Sequence, residues 1–140
     1  MNPPEIRAAL DTSVVMRLLT GHPLDLATAA RDYMADIDQS GAKVFVSNVV
    51  VMETYFACQH HYGMPKAAVL SGLHTLFSMP IFVIHPLLIG LVSIPDLASA
   101  KPGFLDRLIH AEAVVARMTL VTFEKAAARL PDTLLLKAPL

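Results

Sequence analysis

The chain has 140 residues, which fits one domain around one core, expected to occupy residues 1–140. Hydrophobic residues make up 54% and charged residues 16%, with a net charge of −1 and a pI near 6.6. That balance excludes a bulk basic nucleic-acid binder, so any RNA or DNA contact must come from a local patch and from bound metal.

So apolar a chain is expected to bury a sheet on both faces and to cover part of its surface with a partner. Cys58 is the lone cysteine, which rules out an intrachain disulfide; it reads as a small buried filler. The start, Met1-Asn2-Pro3-Pro4-Glu5, has neither a basic nor an apolar leader region, and a cytoplasmic location is expected.

Ile6 to Leu10 reads as the first strand, and Asp11-Thr12-Ser13 turns into a short helix from Val14 to Leu19, closed by Gly21 and Pro23. Leu26, Ala29, Ala30, Tyr33, Met34 and Ile37 recur at helical steps over Asp25 to Gln39. Lys43 to Val46 is a short strand, and Ser47 or Asn48 caps a helix reaching about His61. Gly63 and Pro65 separate it from a helix over Lys66 to Phe77. Leu76 to Pro95 approaches membrane-spanning length, but Pro80, Pro86 and Pro95 interrupt it. It reads as a buried strand, Ile81 to Ile84, then a helix from Pro86 to about Leu91 and a second short piece past Pro95. After Lys101-Pro102-Gly103, a helix is expected over Leu105 to Met118 with Leu105, Leu108, Ile109, Ala113 and Ala116 inward. Thr119 to Thr122 is a strand, Lys125 to Leu130 a helical turn or two, and Leu134 to Leu136 a closing edge strand. Strands alternating with helices predict an α/β fold with a parallel sheet covered on both faces.

Ligands of open parallel sheets bind beyond the carboxyl ends of the strands. Asp11 and Glu124 each follow an apolar run; Glu53 and Asp106 lie early in helices. Clustered carboxylates persist only if a proton or a cation offsets their charge, and oxygen donors suit Mg²⁺ or Mn²⁺. Taken singly, Asp11 and Asp106 also read as helix N-caps and Glu124 as a solvated acid. Glu53, flanked by Val50, Val51, Met52, Tyr55 and Phe56, would be costly if it pointed inward unpaired. Ser13 and Thr122 are hydroxyls placed to orient water or a carboxylate; helix capping and a plain strand position are the alternatives. Arg17, Lys101, Arg107 and Lys125 are candidates to hold phosphates, although a surface charge is the commoner role.

Four segments together carry a family resemblance: Leu10-Asp11-Thr12-Ser13-Val14-Val15; Ser47 through Glu53 to Ala57; Phe104-Leu105-Asp106-Arg107-Leu108-Ile109-His110-Ala111; and Val121-Thr122-Phe123-Glu124-Lys125-Ala126 with Ala128-Arg129-Leu130-Pro131. Each is short; in this order they resemble the PIN-domain ribonucleases, and especially the VapC-type toxins of bacterial toxin–antitoxin pairs. The resemblance implies a three-layer α/β/α fold with a central parallel sheet of about five strands. It further implies Mg²⁺ or Mn²⁺ and hydrolysis of RNA phosphodiester bonds by an endoribonuclease, with Asp11, Glu53, Asp106 and Glu124 as catalytic metal ligands. The family usually has Asp where this chain has Glu124, one methylene longer. One-metal chemistry or a preference for Mn²⁺ is the corresponding expectation.

The resemblance also implies a small antitoxin that covers the active-site groove. A homodimer is expected too, with the helix pair from Tyr55 to Phe77, including Tyr62, Met64, Leu70 and Leu73, as the candidate surface. No membrane contact is expected. The alternatives are a PIN-type nuclease for RNA or DNA processing and a catalytically inactive PIN-like binding module.

Overall fold

Strand β1, Ile6–Ala9, and strand β2, Lys43–Phe45, bracket the first two helices, in a computed structural model that describes residues 3–139. Met1 and Asn2, part of the stretch read as leaderless, lie outside the described residues. Asp11 holds extended backbone and its carboxylate accepts the Thr12 N–H, which starts α1, Thr12–Thr20. Gly21, at φ 71°, ends α1 by donating its N–H to the Arg17 carbonyl at 2.9 Å. Helix α2 spans Leu24–Gln39. Ser47 caps α3, Asn48–His60, its Oγ accepting the Val50 N–H at 3.3 Å. Helix α4, Lys66–Phe77, follows Pro65.

The proline-rich apolar run divides as expected, into β3, Phe82–Val83, a short α5, Leu88–Val92, and a 3₁₀ turn at Leu97–Ser99. Among the described residues no helix is long and apolar enough to cross a membrane. Helix α6, Phe104–Val115, leads to β4, Leu120–Thr122, a 3₁₀ turn at Ala127–Arg129, and β5, Thr133–Leu135.

The core gathers around β1, β2 and β3, which pair in parallel in that order. Val44, Val46, Val51, Leu73, Leu88 and Leu108 are fully buried. Helices α1 and α4 approach closely enough that a Cβ added at Gly72 would stand 2.7 Å from Leu19 Cδ1. Close packing of this kind takes up apolar side chains that the sequence left free for a partner. Tyr55, Leu70, Leu73 and Phe77 are buried in the core, so the helix pair exposes only Phe56 and Tyr62 among its large apolar groups. The inward face of α6 includes Leu108 as expected, with Leu105 partly buried against the core, and differs at Ile109 and Ala116. Phe104, Leu108 and Ala111 are buried, whereas Ile109 and Ala116 are exposed. The i, i+4, i+7 stripe of the first three meets the core, where Phe104 packs on Tyr55 with ring centroids 5.0 Å apart.

The five strands do not join in one sheet. β1 forms the edge of the three-stranded sheet, and β4 and β5 pair in parallel as a separate leaf. The end of α6 lies between the two sheets in sequence. Met118 N–H bonds to the Ala113 carbonyl at 2.8 Å and Arg117 N–H to the Val114 carbonyl at 3.0 Å, with Arg117 at φ 57°. This helix-ending turn leads into the leaf. The core cluster correspondingly draws no side chain from beyond Leu108 among the described residues.

Candidate functional site

The parallel register brings the carboxyl ends of β1 and β2 level, with the Leu10 N–H donating to the Phe45 carbonyl at 2.9 Å. Just past those ends, Asp11 caps α1 and Ser47 caps α3, so two helix N-termini open side by side on the same rim. Their aligned peptide dipoles favour negative charge there. Glu53, one turn into α3, reaches across to α1: Thr12 Oγ1 donates to Glu53 Oε1 at 3.2 Å. Thr12 N–H also donates to Asp11 Oδ1 at 2.8 Å. Thr12 therefore holds two carboxylates at once, from residues far apart in the chain. Asp11 and Glu53 are both exposed, so Glu53 is not the inward, costly acid that its apolar neighbours allow for. Asp11 Oδ2 has only the Ser13 hydroxyl beside it, at 3.5 Å, the outer limit of a hydrogen bond. That leaves carboxylate oxygen free for a ligand.

The other two acids stand apart. Asp106 lies half-buried in the first turn of α6, and Glu124 lies exposed on the leaf. Among the described residues no three His, Cys, Asp or Glu side chains stand together where one cation would be held. The structure thus brings Asp11 and Glu53 together and does not bring Asp106 and Glu124 to them. For Glu124 the reason is the detached leaf. Thr122 uses its hydroxyl to accept the Glu124 N–H at 2.9 Å, closing the turn rather than orienting a carboxylate.

The basic candidates divide in the same way. Arg17 lines an apolar groove of about 480 Å³ between β1 and α2 that opens at Asp11; its Nη1 donates to Tyr62 Oη at 3.4 Å, and its Nε is buried with no partner. Arg107 is committed elsewhere, its Nε donating to the Pro102 carbonyl at 2.8 Å and bracing the loop before α6. Lys101 and Lys125 are exposed.

Two residues were missed in the sequence. Thr12 was passed over beside Asp11, although a hydroxyl in the first position of a helix next to an acid is a usable signal. Asn48 donates through Nδ2 to Glu112 Oε2 at 2.9 Å, tying the start of α3 to α6, while its Oδ1 is buried without a partner. Its signal was a polar residue heading the apolar run Val49-Val50-Val51. Cys58 is fully buried and burial pushes its thiol up, which suits a packing group rather than a nucleophile.

Residues 8–132 match the PIN domain, a stretch that takes in all four acids and runs from β1 through β4 to just before β5. The chain belongs to the PIN domain family, whose members are in general metal-dependent nucleases. No curated protein matches the chain in sequence. The donor chemistry here fits a hard divalent cation in kind: Asp11 and Glu53 offer exposed oxygen ligands side by side. It falls short in number, because two of the four acids are not at hand.

Proposed function

We propose that the chain is a metal-dependent endoribonuclease that hydrolyses RNA phosphodiester bonds, acting as the toxin of a type II toxin–antitoxin pair in the cytoplasm. The observation that carries this reading is the meeting of Asp11 and Glu53 on Thr12, at the carboxyl end of β1, in a chain of the PIN family.

Asp11 and Glu53 would hold Mg²⁺ or Mn²⁺, and Asp106 and Glu124 would have to be brought to them to complete the set. When bound, such an ion supplies Lewis acidity toward the phosphate and lowers the pKa of a water molecule. The chain's own residues do the rest. Thr12 fixes the orientation of both carboxylates. The paired N-termini of α1 and α3 favour the phosphate's negative charge on this rim. Arg17, at the mouth of the groove, is the basic side chain best placed to meet a neighbouring phosphate. Recognition of RNA rather than DNA, the cognate antitoxin and the toxin role rest on the resemblance of the four segments to VapC-type toxins.

The test is RNA cleavage by the purified chain with Mg²⁺, Mn²⁺ or EDTA, with Asp11→Asn beside the wild type. Cleavage that needs metal and vanishes in the variant is expected. Equal activity in both proteins would point to a contaminating nuclease. No cleavage with any RNA or metal would shift the reading toward the inactive binding module.

A further inference from the structure

The molecule carries two incomplete halves of one sheet. On the body, among the described residues, β1 has β2 on one side and no strand on the other. Ile6 is 54% exposed, Ala9 is exposed, and the apolar groove beside β1 is open along Leu26 and Tyr33. On the leaf, among the described residues, β4 and β5 pair only with each other, and Val121, Phe123, Leu134 and Leu136 are exposed, Phe123 at 70%. A two-stranded sheet standing alone is marginal in water, and parallel strands are ordinarily covered on both faces. An open strand edge is a template for another strand.

Among the described residues the leaf does not pair with its own β1. It follows the hydrogen-bonded turn at Ala113–Met118 and meets α6 where His110 Nε2 lies against the Pro131 carbonyl, and α6 is itself held by buried Phe104 and Leu108 and by Asn48 bonding to Glu112. Arg117 at φ 57° occupies the left-handed position that glycine fills at most helix ends, a strained link of the type at which chains exchange elements. A second copy of the same chain offers the free β1 edge and groove that the leaf lacks, and takes the same in return.

We propose that two copies exchange their C-terminal leaves, β4 and β5 of each docking on the free edge of β1 of the other. Each candidate site then takes Asp11 and Glu53 from one chain and Glu124 from its partner. This deepens the proposed function, because the exchange delivers one of the acids that the lone chain does not gather. The exchange itself stands on the strand edges and exposed apolar groups and does not need cleavage to occur.

Two tagged variants of different mass, Ala9→Cys and Val121→Cys, are unfolded together, refolded and treated with a short bismaleimide. Arg7→Cys with Phe123→Cys provides a second pair at exposed positions, and the wild type controls for Cys58. The expected result is a dimer in solution and a cross-linked species with the summed mass of the two variants. A monomer, or the absence of any cross-linked species joining the two variants with both cysteine pairs, would overturn the exchange.

The functional arm co-refolds Asp11→Asn with Glu124→Gln, each impaired alone. Reciprocal exchange places both substitutions in one site of the mixed dimer and leaves the other intact, so about a quarter of wild-type cleavage returns. A cross-linked dimer whose mixture stays inactive, while the wild type cleaves, would refute the shared site. Cross-linking with no cleavage by the wild type would sustain the exchange and sink the nuclease reading.

Discussion

Replacing Phe104 with Ala tests whether α6 is anchored as described. Phe104 is 2% exposed at the first turn of α6, and its ring meets Tyr55 at 5.0 Å with a 56° tilt. Truncating a buried Phe to Ala costs about 3–5 kcal/mol, of which the aromatic pair accounts for roughly 0.5–1.5 kcal/mol. Against a total stability of about 5–15 kcal/mol this is a large fraction. At about 3 °C per kcal/mol for a chain of this size, the midpoint of thermal unfolding should fall by roughly 10–15 °C. Phe104→Leu retains most of the apolar volume and should lose about 1 kcal/mol. The assay is urea and thermal unfolding followed by circular dichroism. Asp106 lies two residues on in the same turn, so cleavage by Phe104→Ala should fall further than its folded fraction at the assay temperature. A loss below about 1 kcal/mol for Phe104→Ala would refute the anchoring of α6 through this ring.

Thr12→Val keeps the shape of the side chain and removes the hydroxyl that donates to Glu53; stability should change by less than about 1 kcal/mol, and cleavage should drop about tenfold or more at limiting Mg²⁺. Equal metal dependence in variant and wild type would contradict Thr12 as the residue that positions the two acids. Gly21→Ala puts a Cβ at φ 71° and 3.0 Å from Arg31 Nη2, so a cost of about 1–2 kcal/mol is expected in chemical unfolding. Burial raises both the Tyr55 phenol and the Cys58 thiol, so the unfolded chain releases these protons first. Stability should therefore be intact below the ordinary thiol value of 9.0 and decline as pH rises past it, read from urea midpoints between neutral and alkaline pH. A midpoint that stays flat across that range would argue against burial of the two groups.

Where local chemistry decided the outcome, the sequence was sufficient. Helix α4 runs over Lys66–Phe77 as expected because Pro65 and the turn before it admit no other start. Ser47 caps α3 as its residue type allows. Asp11 and Glu53 were legible as candidate ligands because one follows a strand and the other lies a turn into the next capped helix but one. Three things were not legible. The face of α6 was misjudged because two apolar stripes coexist in Phe104 to Ala116, and only contact with Tyr55 chooses between them. Closure of the sheet was misjudged because β4 and β5 have three residues each, too few to fix a long-range pairing against the turn that ends α6. Glu124 lies just past β4, so its place depends on how the sheet closes. Thr12, which joins the two acids that do meet, carried no long-range signal of its own.

Because the core cluster closes in sequence at Leu108, synthesis and site assembly are separated in time. Residues 109–140 need about 2–6 s to be made at cellular elongation rates, and every side chain of the main cluster has been polymerised before they begin, although the buried Ala111 and Ala127 come later. Glu124 belongs to that late portion. A growing chain can therefore collapse around β1, β2 and β3 before its last candidate ligand exists. For a chain of a nuclease family, this order of manufacture delays the complete set of acids until translation of the core cluster is over.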